Sequence, residues 1–103
     1  MLILGLRYSI KNDHVYIYEK NKTYILSVLY PTNETTRAVI FNILVEDKSS
    51  RFTLALNDSR RIGDTAIELI EIDDTYVKIG FTAPKEVIIK RYKLVRQEVK
   101  GTQ

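Results

Sequence analysis

Short runs of β-branched and aromatic residues recur along nearly the whole chain, and this pattern constrains the fold more than any other feature. Such side chains favour strands because they pack well on a pleated, half-buried surface. Eight runs predict eight strands, at residues 2–8, 14–18, 23–30, 37–45, 52–56, 66–72, 76–81 and 86–90. The predicted connectors, rich in Asn, Asp, Pro and Ser, lie at residues 11–13, 31–33, 47–50, 57–59 and 73–75. Connectors of this kind suit tight turns, so we expect the strands to pair as antiparallel meanders.

The tail is the segment whose spacing indicates a helix. Within residues 91–100, Leu94, Val95 and Val99 fall at helical spacing with charged residues between them, and Gly101 follows as a stop signal. The sequence therefore predicts a mainly β fold of antiparallel sheets with a short C-terminal α-helix. The aromatic residues lie mainly in the strands, where we expect most of them to be core or cross-strand partners, with base-stacking platforms as the alternative.

Composition narrows the class of protein. A chain of 103 residues with 45% hydrophobic residues fits one domain with its own core. The absence of Cys excludes disulfides, thiolate metal sites and Cys nucleophiles. The apolar start has no preceding basic region and no cleavage site, and no apolar run reaches the roughly 20 residues of a membrane span. We therefore expect a soluble, cytoplasmic protein that has no membrane partner.

The charged residues are unevenly distributed, although the formal net charge is only +3. Residues 85–100 contain six cations and two carboxylates, whereas residues 68–74 are acidic. Taken alone, this pattern favours a solvated helix face and strand end over a binding surface.

The sequence does not favour an enzyme. The single histidine, His14, stands beside Asp13 with no nucleophile pattern near it. The carboxylates around Asp73 and Glu68 fit turn and strand surfaces better than a metal site. Gly63 and Gly80 form no phosphate-binding loop. We therefore expect no catalytic residues, no metal and no cofactor.

Three sequence elements nevertheless occur together in a specific order. Ile62, Gly63 and Asp64 open a strand, the stretch VKIGFTAPKEV spans residues 77–87, and a basic strand end with an amphipathic segment follows. The chain also begins with Met-Leu-Ile-Leu. In these respects residues 1–8 and 60–100 resemble the carbon storage regulator (CsrA/RsmA) family, small bacterial RNA-binding regulators of translation.

Residues 9–59 have no counterpart in that resemblance, because family members are about half as long as this chain. One hypothesis is a single CsrA-like domain, 1–103, in which 1–8 is the first strand, 9–59 an insertion and 60–103 the core with the C-terminal helix. The other hypothesis makes 9–59 part of a degenerate first copy, because residues 22–43 share the strand, turn, strand rhythm of residues 65–82. The resemblance implies an intertwined homodimer in the first case and a monomeric internal pseudo-dimer in the second. In the pseudo-dimer, a joint at about residues 44–56 would replace the last strand of copy one and the first strand of copy two.

The resemblance also implies a composite RNA site, in which the first strand of one protomer lies beside the last strand of the other. The residues implicated are Leu4 and Arg7 in the first strand, Ile89, Lys90 and Arg91 in the last strand, and the backbone of Ala83, Pro84 and Lys85. Phosphate contacts would come from Lys85, Lys90, Lys93 and Arg96. The expected ligand is a single-stranded, GGA-containing loop in a messenger leader, whose occupancy represses translation.

Two departures from the family pattern leave an alternative open. Leu6 stands where the family more often has Arg, and residues 55–58 lack an Arg where a second site would need one. A protein-interaction module or decoy of the same fold, which pairs with a true family member and has lost RNA recognition, is the alternative hypothesis.

Overall fold

The computed structural model describes residues 1–8, 13–32 and 37–93, and these residues form nine strands. The strands are β1 (Leu2–Arg7), β2 (Asp13–Tyr18), β3 (Thr23–Pro31), β4 (Ala38–Val45), β5 (Lys48–Ala55), β6 (Ser59–Ile62), β7 (Thr65–Ile72), β8 (Tyr76–Thr82) and β9 (Ile88–Lys93). The predicted mainly β, antiparallel class is confirmed. The described part of the chain contains no helix long and apolar enough to cross a membrane.

The strands form two antiparallel sheets that share one core. The four-strand sheet has the order β1-β8-β7-β6, and the five-strand sheet has the order β5-β4-β3-β2-β9. Along β2 and β7, alternate side chains are buried, as the period of a strand requires. Fully buried side chains from both sheets form a single cluster: Leu6, Val15, Ile17, Leu26, Val28, Val39, Phe41, Ile67, Leu69, Val77 and Ile79. Burial of such side chains stabilises the fold by about 1.5–3 kcal/mol each.

The two sheets follow the same plan up to their last strand. Each contains a meander of three strands, β2-β3-β4 or β6-β7-β8, with one more strand, β5 or β1, beside the third. The middle strand of each meander shifts register once, between Val28 and Tyr30 in β3 and between Leu69 and Glu71 in β7. The terminal strands are exchanged, because β1 joins the sheet built from the C-terminal meander and β9 joins the N-terminal one. Among the residues that the structure describes, only the five-strand sheet has a strand beyond the first strand of its meander, namely β9.

The turn between β6 and β7 explains the Ile-Gly-Asp sequence. Gly63 has φ +62°, a left-handed conformation that glycine adopts without a Cβ penalty. The backbone N–H of Asp64 donates a 2.7 Å hydrogen bond to the Glu19 carboxylate, which ties this turn to the one between β2 and β3.

The observed strands differ from the predicted ones at two places in the middle of the chain. The expected connector at 47–50 is the start of β5, because Glu46 and Asp47 both have positive φ and form a two-residue hairpin turn. The segment at 44–56 thus contains the end of β4 and the whole of β5. The strand β6 was not predicted, because its polar sequence pairs on one side only and carries a single buried residue, Ile62.

The predicted helix is wrong at its beginning. Arg91, Tyr92 and Lys93 continue β9 and pair with β2. Cross-strand hydrogen bonds outweigh the weak helical preference of these three residues. The remainder of the predicted helix, residues 94–100, lies outside the described residues.

Candidate nucleic-acid interface

The border where β1 of the four-strand sheet approaches β9 of the five-strand sheet contains an open cleft, and we call this border the open junction. The cleft has a volume of about 350 Å³. Its lining comes from the start of the chain, from the connector between β8 and β9, and from β9 itself: Met1, Leu2, Ala83, Pro84, Lys85, Val87 and Ile89. The connector belongs to neither neighbouring ladder. A hydrogen bond of 3.1 Å from Val87 N–H to the Pro84 carbonyl shapes it as a turn. An extended ligand bound in this cleft would contact apolar side chains, Lys85 and exposed peptide groups.

A buried carboxylate joins the two strands at the open junction. Asp13 is 1% exposed, and its Oδ2 accepts a 2.9 Å hydrogen bond from the backbone N–H of Arg7. The same oxygen lies 3.3 Å from a terminal nitrogen of the Arg91 guanidinium, whose side chain is 31% exposed. Among the described residues, Asp13 Oδ1 has no hydrogen-bond partner. Because an unpaired buried carboxylate is costly, Asp13 holds Arg91 beside β1.

The other sequence-predicted residues divide between the two sides of the strands. Leu4 and Ile89 are half-buried and pack against the core cluster. Arg7 is exposed at the end of β1, opposite Tyr76 of β8. Lys90 is exposed opposite Tyr16, a residue that alternates with buried positions, so its side chain lies on the outer side of the five-strand sheet. The side chains of Arg91 and Lys90 thus lie on different sides of the sheet, although the two residues are adjacent in sequence.

At the opposite border, between β5 and β6, an arginine covers a buried aromatic ring, and we call this border the closed junction. The guanidinium carbon of Arg60 lies 4.5 Å from the centroid of the Phe52 ring. Phe52 is 8% exposed and stacks on Phe41 at 5.2 Å. The connector between the two strands is bound to β7 through hydrogen bonds of Asn57 and Asp58 with Leu69. No strand lies beyond β6 in the ranges that the structure describes.

Asp13 is the residue of the candidate site that the sequence analysis missed. It was placed in a connector, although the alternation of Asp13, Val15 and Ile17 along β2 is a signal that the carboxylate points inward. Its partner Arg91 is 78 residues away in sequence. The pairing of β2 with β9 brings Asp13 and Arg91 together, and no local sequence pattern predicts this pairing.

A second cavity lies at the other end of β1, and its tyrosine has a structural role. Tyr8, Arg37 and Asp73 contribute to its lining. Burial, followed by the nearby charges of Asp73 and Asp74, raises the pKa of Tyr8 above its usual value. The neutral hydroxyl donates a 2.8 Å hydrogen bond to the Asp73 carbonyl and fixes the chain after β1. In the described ranges, no group of three or more His, Asp and Glu side chains is placed to hold a metal ion.

The fold and the open junction define a two-sheet antiparallel β protein with a basic, partly apolar border between its terminal strands. Searches of protein-family models, of curated proteins and of solved structures each found no significant match to this chain.

Proposed function

We propose that the protein is an RNA-binding post-transcriptional regulator of the carbon storage regulator type, which binds GGA-containing loops in messenger leaders and represses translation. The observation that carries the proposal is the meeting of the first and last strands at the open junction. Ala83, Pro84, Lys85 and Ile89 line one cleft there, and Arg91 lies at the same border. These are residues that the sequence resemblance implicates.

The chemistry of the open junction suits a single-stranded loop. Unpaired bases expose edges that peptide groups and arginine forks recognise. One nitrogen of Arg91 is engaged by Asp13, and a guanidinium carries five N–H donors in all. Asp13 therefore orients the fork while leaving other donors to face a guanine edge or a phosphate. Lys85, exposed in the connector, adds a phosphate contact that favours any RNA sequence.

We further propose that the chain is an internal pseudo-dimer with one RNA site. The repeated meander, its bulged middle strand and the exchanged terminal strands support a degenerate tandem copy over an insertion. In this proposal β5 takes the part of a first strand for copy two, and only the last strand of copy one has been lost. One chain then binds one GGA loop and does not gain affinity by bridging two.

A protein-interaction module is the second candidate function, and exposed apolar side chains favour it. Met1, Leu2 and Ile3 are 72%, 42% and 52% exposed at the start of the edge strand β1. An exposed, apolar strand edge can pair with a strand of another chain. Under this hypothesis β1 docks on a CsrA-like regulator, and RNA is not bound.

Binding of a labelled hairpin with GGA in its loop tests the main proposal. We compare it with a hairpin whose loop guanines are changed, across a salt series, for the wild type, Arg91→Ala and Arg61→Ala. Arg61 is the matched control, since it is an exposed arginine on β6, far along the other sheet. The wild type and Arg61→Ala should prefer GGA, and Arg91→Ala should lose most of that preference. The logarithm of affinity should fall with the logarithm of salt by about 0.7 per phosphate contact.

Equal binding of both hairpins, unchanged by Arg91→Ala, would exclude sequence-specific RNA recognition at the open junction. Absence of binding to either hairpin would favour the interaction module. That candidate predicts a stable complex between this chain and a CsrA-like protein, measurable by size-exclusion chromatography with light scattering. Titration of the hairpin should give one RNA per chain if the pseudo-dimer proposal is right.

A further inference from the structure

The outer face of the five-strand sheet carries aromatic side chains that are used neither by the core nor by the open junction. In β2, Tyr16 and Tyr18 alternate with buried residues and therefore point away from the core. Their partners in β9 are Lys90 and Ile88, and Tyr92 follows on the same face. Tyr92 is 44% exposed and Ile88 53%. We call these five residues the tyrosine face.

The three rings form one continuous aromatic surface. The centroids of Tyr16 and Tyr18 are 5.8 Å apart with 28° between the ring planes, and Tyr92 meets Tyr16 edge to face at 4.7 Å. The hydroxyls of Tyr18 and Tyr92 lie 3.5 Å apart. This hydrogen bond is the main cause that raises the pKa of the Tyr18 hydroxyl above its usual value. The face is thus aromatic and uncharged, except for Lys90.

The charged side chains at outward positions on the described strands of the five-strand sheet are cationic. The register places Lys90 opposite Tyr16 and places Arg51 on β5, at the far edge of the sheet. Two carboxylates, Glu19 and Glu86, lie beyond the ends of β2 and β9. The outer side of the four-strand sheet differs, because Glu68 lies there and Glu71 forms a 3.4 Å ion pair with Lys78. Aromatic rings beside a cation complement a ligand that has both flat bases and negative phosphates.

The tyrosine face is continuous with the open junction through β9. Ile89 and Arg91 face the junction, whereas Lys90 and Tyr92 belong to the outer face. Successive residues of a strand are only about 3.3 Å apart. A chain bound at the junction therefore needs to cross a single edge strand to reach the rings.

We propose that the tyrosine face is a stacking platform for single-stranded nucleotides that flank the loop bound at the open junction. The inference rests on the proposed function, and it assigns a second, sequence-tolerant surface to the same RNA. Bases stack on Tyr16, Tyr18 and Tyr92, and Lys90 contacts a phosphate between them. Stacking on an aromatic side chain raises affinity by roughly 5-fold to 100-fold per base.

The test compares two labelled hairpins that share a GGA loop, one of them extended by a single-stranded tail of about eight uridines, a length within the usual range of single-strand sites. For each protein the quantity measured is the ratio of the two affinities. The variants are Tyr92→Leu, which removes a ring, and Tyr92→Phe, which keeps the ring and removes the hydroxyl. Tyr30→Leu is the control, since Tyr30 is 48% exposed on β3, two strands away from β9.

We expect the tail to raise affinity at least 5-fold for the wild type, Tyr92→Phe and Tyr30→Leu, and Tyr92→Leu to lose most of this gain. Tyr92→Leu should bind the hairpin without a tail as the wild type does. A ratio near one in the wild type, with GGA preference intact, overturns the platform and leaves the proposed function standing. That result is also expected if a protein partner covers this face. Failure to bind either hairpin overturns the proposed function and this inference with it.

Discussion

Each of the two junctions brings one edge strand of the four-strand sheet close to one edge strand of the five-strand sheet, yet the junctions differ in chemistry. At the closed junction, Arg60 covers Phe52, a ring that is 8% exposed. At the open junction, β9 provides an additional strand, and the ion pair of Arg91 with Asp13 lies beside β1. An open cleft with both polar and apolar lining occupies the same border. A nearly repeated arrangement of strands therefore contains one candidate binding site, because Arg60 covers the aromatic ring at one border whereas the other border has an open cleft.

The largest loss of stability should come from removing the buried aromatic ring at the closed junction. Phe52→Ala removes a ring stacked on Phe41 and leaves a cavity, so we expect a loss of about 3–5 kcal/mol in the free energy of unfolding. Urea unfolding measures it, with Phe52→Leu as the control that keeps most of the apolar volume and should lose less. The folded fraction of Phe52→Ala should keep the GGA preference. A selective loss of RNA binding in Phe52→Ala would instead indicate that the closed junction takes part in RNA binding.

The next largest loss of stability should come from changing Asp13, the carboxylate that contacts both β1 and β9 at the open junction. Asp13→Asn keeps the shape of the side chain but removes the negative charge that accepts hydrogen bonds from the Arg7 backbone N–H and the Arg91 guanidinium. We therefore expect a loss of about 1–3 kcal/mol in unfolding free energy. Asp58→Asn is the matched control at the closed junction, where an exposed carboxylate accepts a 3.2 Å hydrogen bond from the Ala55 N–H. It should change stability by no more than about 0.5 kcal/mol.

Asp13→Asn also tests whether Asp13 positions Arg91. Without the charged partner, the guanidinium is free to adopt other rotamers, so preference for GGA over the control loop should fall while overall RNA affinity falls less. Unchanged preference, together with the expected loss of stability, would limit Asp13 to a structural role.

The strands were predictable because their signal is local. The alternation of buried and half-buried residues in β2 and β7 is visible in the sequence, and the antiparallel class follows from short polar connectors. β6 lacks that signal, since three of its four residues are exposed. The error at Arg91 has the opposite cause, because pairing with β2 decides the conformation there and that pairing is not local.

The candidate site was predictable only in part. The resemblance implicates Arg91 and the connector after β8, but not the carboxylate that contacts Arg91 or the side of β9 on which Lys90 lies. Both depend on the register of β9 against β2, in which Val15 faces Arg91 and Tyr16 faces Lys90. A shift of one residue would exchange the two sides, so the composition of the strand alone does not assign them.

The smallest effect should come from the cation that covers the closed junction. Arg60→Ala removes the contact with the Phe52 ring, and we expect a loss of about 0.5–1 kcal/mol in unfolding free energy. Arg61→Ala removes the same charge from the next residue, which faces the outer side opposite Ala66, and isolates the general effect of charge. Repeating Arg60→Ala in a Phe52→Leu background measures the pair itself, because the cost should shrink when the ring is absent. If the cost is the same in both backgrounds, Arg60 does not stabilise the closed junction through Phe52, and the difference between the junctions rests on β9 and Asp13 alone.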